Sequence, residues 1–146
     1  MLRLVLLCLL LTPPALACAP PHPTEVEIHL ARVNSERAKQ GRRPLTLAPD
    51  LSQVAQAHAC DMTRRGYFSH TSPNGRGMMD RMRAAGLSQY CTVGENIAQG
   101  QRDVPTVMDG WMRSSGHRRN ILAADFTHIG FGTSGPHWVQ LFGGAC

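Results

Sequence analysis

The chain has 146 residues, a formal charge of +5 and only 5% aromatic residues. That length holds one domain with a modest core. Scattered arginines with so few aromatics exclude a nucleic-acid groove, which needs a basic stripe interleaved with stacking rings, and suit a solvated surface that favours anionic envelopes.

Residues 1–17 start with Met1-Leu2-Arg3, run through leucines and valine to Leu11, and end in Ala15-Leu16-Ala17. A charged start, an apolar middle and a small-x-small ending make a secretory signal peptide. The apolar run is shorter than the ~20 residues that span a bilayer. The expected location is therefore secreted, periplasmic or extracellular. The alternative reads Ala15-Leu16-Ala17-Cys18 as a lipoprotein signal, with the protein anchored through Cys18. Cleavage after Ala17 leaves Cys18, Cys60, Cys91 and Cys146, an even set that fits two disulfides in an oxidising compartment. Of the three pairings, Cys60 with Cys91 and Cys18 with Cys146 are preferred. The first closes a loop worth about 3–4 kcal/mol in the chain-entropy model, and the second ties the two ends together.

Residues 18–23 form a proline-rich lead-in, and a single domain is expected over 24–146. Thr24 and Glu27 propose a capping box for a first helix, with Ile28, Ala31 and Ser35 or Ala38 as its apolar stripe and Gly41 as its stop. Asn34 and Arg37, one turn apart, read as a surface pair. "RRPLTLAPD" is a short extended link. A second helix runs from Pro49 to Gly66 with Leu51, Val54, Ala55, His58, Ala59 and Met62 on one face, which makes His58 a core histidine. Residues 78–85 form a short helix in which Met78, Met79 and Met82 fill the core. "CTVGENIAQG" is a strand entering a turn. Asp103 caps a fourth helix, with Pro105 in its first turn, Val107, Met108, Trp111 and Met112 facing inward, and Gly116 at its end. "FTHIGFGTSGPHWVQLFGG" closes the chain as a hairpin about a Ser-Gly-Pro turn. Helices first and antiparallel strands mostly last give one α+β layered domain.

Four stretches place polar groups in unusual settings: "FSHTSPNG", "VGENIAQG", "WMRSSGHRRN" and the closing hairpin. Glu95 lies between a glycine and an apolar pair, where a carboxylate needs a cation, a metal or several N–H donors. No H-E-x-x-H, G-x-S-x-G, P-loop or dinucleotide fingerprint is present.

Taken in order, "VNSER", "LSQVAQAHACDM", "GYFSHTSPNG", "VGENIAQG", "WMRSSGHRRNIL", "THIGFG" and "HWVQLFG" resemble the CAP superfamily of cysteine-rich secretory proteins, antigen 5 and pathogenesis-related 1, in its bacterial SCP-like branch. The likeness spans residues 24–143. It implies a three-layer α-β-α sandwich with a small antiparallel sheet between helices. It also implies a cleft lined by two histidines and two acids, which in some members holds a divalent metal such as zinc or magnesium. Carried over motif by motif, the cleft residues are His70, Glu95 and His117, with Ser114 where the wider family has its second acid. His70 and His117 would then hold a metal, with Glu95 binding directly or through water.

The function implied is a binding module for a small-molecule or lipid-like envelope ligand, acting as a monomer. A metal-dependent hydrolase of peptide or cell-wall material is one alternative, with Glu95 as general base or ligand. A structural or adhesion domain without chemistry is the other.

Overall fold

The structure, a computed structural model, describes residues 18–146, and the expected signal peptide lies outside the described residues. Helix α1 (Pro23–Ala38) has proline at its first position, where the missing N–H has no partner to lose. His22 is its cap. The Thr24 N–H donates to His22 Nδ1 at 3.3 Å, and Glu25 Oε2 accepts from the His22 N–H. The expected Thr24–Glu27 box is replaced because Pro23 fixes where the helix starts.

The expected stripe of α1 is also rotated. His29, Val33 and Arg37 face the core, while Ile28 is 44% exposed. Two polar side chains on the buried face hide the true periodicity. Nor are Asn34 and Arg37 a surface pair. Asn34 holds both the N–H and the C=O of Leu45, at 2.8 and 3.0 Å. Arg37 is buried and donates to the carbonyls of Arg43, Ile121 and Ala123 at 2.7–2.8 Å.

Strand β1 (Thr46–Leu47) lies in the expected link. Helix α2 (Pro49–Arg65) ends at Gly66, whose φ of 65° is the left-handed conformation glycine adopts freely. Helix α3 (Met78–Ala84) and strand β2 (Tyr90–Gln99) follow. Helix α4 (Val104–Arg113) is capped by Asp103, which accepts from the Thr106 N–H at 2.8 Å. Gly116 does not end it. Ser114 breaks the helix with extended backbone, and Gly116 lies within a separate helix, α5 (Ser115–Leu122). Strands β3 (His128–Ser134) and β4 (His137–Ala145) form the closing hairpin.

The sheet order is β1-β3-β4-β2, with β2 on an edge. The β1–β3 pair is parallel and the other pairs are antiparallel, so the expected antiparallel sheet carries a two-residue parallel edge. Helix α2 packs on one face, against Ile97, Val139 and Leu141. Helices α1, α4 and α5 cover the other, over Ile129, Phe131, Trp138 and Phe142. This is an α+β fold with the sheet between two helical layers. Gly130 and Gly132 set the spacing of the α2 layer: a Cβ on either would lie 2.2–2.3 Å from backbone atoms of α2.

The four cysteines of the described residues are all bridged, but not in the expected pairs. Cys18 joins Cys60, and Cys91 joins Cys146. Pairing of Tyr90 with Ala145 brings Cys91 beside the last residue. Cys60 sits on the solvent side of α2, where the lead-in crosses it and Gln56 Nε2 donates to the Ala19 carbonyl at 2.9 Å.

Candidate functional site

The "GENIA" stretch is an edge strand whose side chains alternate between the two helical layers. Glu95 and Ile97 point to the α2 layer, while Gly94, Asn96 and Ala98 point to the α4–α5 layer. Gly94 is required there, since a Cβ would meet the Phe126 ring at 2.8 Å. Asn96 sits opposite Gln140 and binds it at 3.0 Å. It also donates to the His117 carbonyl at 3.1 Å and accepts from Asn120 at 2.8 Å. Asn120 in turn donates to the Glu95 carbonyl at 3.2 Å. This amide chain fixes α5, and with it His117, against β2.

On the α2 side, the Glu95 side chain is only 3% exposed. His70 Nδ1 lies 2.8 Å from Oε1, and Arg81 donates to Oε2 at 2.7 Å. Burial pushes the Glu95 carboxyl up, but the His70 hydrogen bond and the Arg81 charge outweigh it and hold the group below the usual carboxylate range. The other terminal nitrogen of Arg81 donates to the His70 carbonyl at 3.0 Å. One arginine thus clamps both the acid and the loop that carries the histidine. Tyr67 adds a second clamp, with its hydroxyl donating to Asp61 at 2.6 Å and lying 2.9 Å from Ser72 Oγ.

The structure brings His70 and Glu95 into direct contact. Among the described residues the His117 ring does not join that hydrogen bond. The His117 pKa is lowered, first by partial burial and then by electrostatic interaction with His70. Ser114 is the hinge between α4 and α5, and its hydroxyl does not cap α5. Among the described residues that hydroxyl forms no hydrogen bond with His70, Glu95 or Arg81. His58 is buried as expected, yet neither ring nitrogen has a partner among the described residues, and Nε2 lies 3.9 Å from Glu95 Oε1. Burial lowers the His58 pKa.

Sequence reasoning missed Arg81, which sits in a helix read for its methionines. Its signal was an arginine flanked by Met78 and Met82 on a half-buried helix, where a charge needs a partner.

These donors do not fit a divalent ion on Glu95. Both carboxylate oxygens are engaged, and the guanidinium 2.7 Å away repels a cation. Among the described residues no three His, Cys, Asp or Glu side chains converge to ligating distance.

A second feature lies on the outer side of α2. A groove of about 660 Å³ runs between the lead-in, α1 and α2, with Pro20, Pro21, Val26, Leu47, Ala57 and Phe131 among its lining residues. Gln53, Gln56 and Arg64 supply the polar groups, and the Cys18–Cys60 bridge forms part of its wall.

The family model described as the cysteine-rich secretory protein family, CAP, matches residues 30–140. The chain belongs to the CAP family. Its relatives include YkwD of Bacillus subtilis, 48% identical over 111 residues, which are 75% of this chain and 43% of YkwD. The membrane protein YlbC of the same organism is 36% identical over 75% of this chain and 31% of its own length. The CAP chain therefore spans less than half of either curated relative. Among solved structures, an SCP-domain extracellular protein from Bacillus anthracis superposes with a TM-score of 0.74 at 28% identity, covering 86% of this chain and 44% of that one. An outer surface protein from Borrelia burgdorferi shares the fold, with a TM-score of 0.78 at 21% identity over 88% of this chain and 98% of that one.

Proposed function

We propose that this CAP domain is an exported binding module whose groove beside α2 takes an apolar, lipid-like molecule of the cell envelope. The observation that carries the reading is the groove itself. Its volume of about 660 Å³ falls in the range of small-molecule sites, and its lining is apolar with a few polar groups at hand. Export is supported by the signal-like pattern of residues 1–17, by two disulfides, and by relatives described as extracellular or outer-surface proteins. The Cys18–Cys60 bridge supports the unanchored form, since it uses the sulfur that an acyl group would occupy.

In this reading the His70–Glu95–Arg81 cluster holds the loop over the sheet edge and does not touch the ligand. The test uses N-phenyl-1-naphthylamine, a neutral apolar dye, on wild type, Ala57→Trp and His70→Ala. Ala57 is exposed on the groove wall, so tryptophan there fills the groove without entering the core. Dye fluorescence should rise with wild type and His70→Ala and be lost with Ala57→Trp. No uptake by wild type, or equal uptake by Ala57→Trp, would contradict the proposal.

A further inference from the structure

Charge is divided unevenly along this chain. Residues 37–49 and 110–124 hold seven of the fourteen Lys and Arg found from Cys18 onward, and none of the ten acids. The remaining residues from Cys18 carry seven Lys and Arg against ten Asp and Glu, a balance of −3.

The fold brings the two basic segments together. Arg37, in the last turn of α1, donates at once to Arg43 O beyond α1 and to Ile121 O and Ala123 O at the end of α5. The loop after α1 and the C-terminus of α5 therefore lie within the span of one side chain. Helix α5 is anchored through Ile121 and through Asn120, which leaves Arg118 and Arg119 on its outer side. Arg113 ends α4 one residue before the Ser114 hinge. Arg42, Arg43, Arg113, Arg118 and Arg119 are all exposed, and among the described residues none forms an ion pair. Lys39 beside them is paired with Glu36. Asp109 and Asp125 are the acids flanking the second segment.

We propose that this arginine face docks the domain peripherally on an anionic phospholipid surface. Three observations select that partner. None of the five arginines lines the apolar groove or the clefts beside α3 and between α1 and α4, so they form an open array and not a pocket for one small anion. No aromatic residue lies in either segment except Trp111, which is buried, so bases have nothing to stack on. The large exposed apolar side chains are Ile28, Phe68 and Met79, outside both segments, so contact is electrostatic and without insertion. The face is separate from the groove and stands whether or not the groove binds lipid.

The test is co-sedimentation of the disulfide-bonded chain, purified from an exporting host, with phosphatidylglycerol–phosphatidylcholine vesicles and with phosphatidylcholine alone. Binding is expected to the mixed vesicles only, and to disappear as salt rises from about 0.05 to 0.5 M, where screening shortens to a few ångströms. Each arginine at such a surface contributes roughly fivefold. Arg118→Ala/Arg119→Ala should therefore weaken binding roughly twentyfold, Arg42→Ala/Arg43→Ala similarly, and Arg76→Ala/Arg83→Ala little. Equal binding to neutral vesicles, salt-insensitive binding, or a control double variant as damaging as the other two would overturn the proposal. So would binding to a soluble polyanion such as polyglutamate with none to the vesicles.

Discussion

A carboxylate as buried as Glu95 stays ionised only when charge-assisted donors replace its lost water, and Arg81 and His70 are those donors. Removing one partner of such a pair costs far more than the pair contributes, because it strands the other charge. Arg81→Met is expected to destabilise the domain by about 3 kcal/mol in urea unfolding. Arg81→Met/Glu95→Gln should recover much of that loss. Near-additive effects of the two changes would mean that the pair is not coupled. His29 gives a second prediction at this scale. It stacks on Phe131 at 4.0 Å, lies 3.0 Å from Gln140 Nε2, and burial lowers its pKa to about 3. A histidine neutral in the fold takes up a proton on unfolding, so stability is full above about pH 6.5 and falls as pH drops toward 3. Between pH 7 and 5 this residue alone should remove about 2 kcal/mol. Denaturant midpoints of wild type and His29→Gln at the two pH values check the sign. Glu95 adds its own loss below the usual carboxylate range, since its pKa is held down.

At the scale of elements, the fit of α2 on β3 depends on the absence of side chains at Gly130 and Gly132. Gly132→Ala must push the helix backbone away from the sheet, and overpacking of this kind costs about 1–3 kcal/mol or more. A melting temperature unchanged by Gly132→Ala would contradict that packing. Helix α2, α3, α4 and the closing hairpin were legible in the sequence because their punctuation is strong: Gly66, Gly86, Asp103 with Pro105, and the Ser-Gly-Pro turn. Helix α1 was misread because its core face carries His29 and Arg37, whose burial depends on partners from β4, α5 and the loop that follows it. Helix α5 is not legible as a separate element, because the glycine that reads as the stop of α4 is Gly116 while the extended residue is Ser114. Within the candidate site, His70 and Glu95 were legible as a pair from their motifs. Arg81 was not, because its contact with Glu95 bridges 14 residues and leaves no periodic trace.

Across the whole molecule, the two disulfides divide the work of closure. Cys18–Cys60 straps the lead-in to α2 and walls the groove, while Cys91–Cys146 fastens the last residue to the start of β2. Loops of 42 and 55 residues are each worth about 4 kcal/mol in the chain-entropy model. Peptide mapping without reduction should recover those two links and no peptide joining Cys60 to Cys91. The groove and the His70–Glu95 cluster lie on different sides of α2, which makes the ligand site separable by experiment. Amide shifts recorded on the ¹⁵N-labelled protein, with and without a neutral long-chain lipid, test the central claim most directly. The expected result is perturbation at Val26, Leu47, Gln56, Ala57 and Phe131 with little change at His70, Glu95 and His117. Shifts concentrated in residues 66–77 and 114–118, with the groove unmoved, would contradict it.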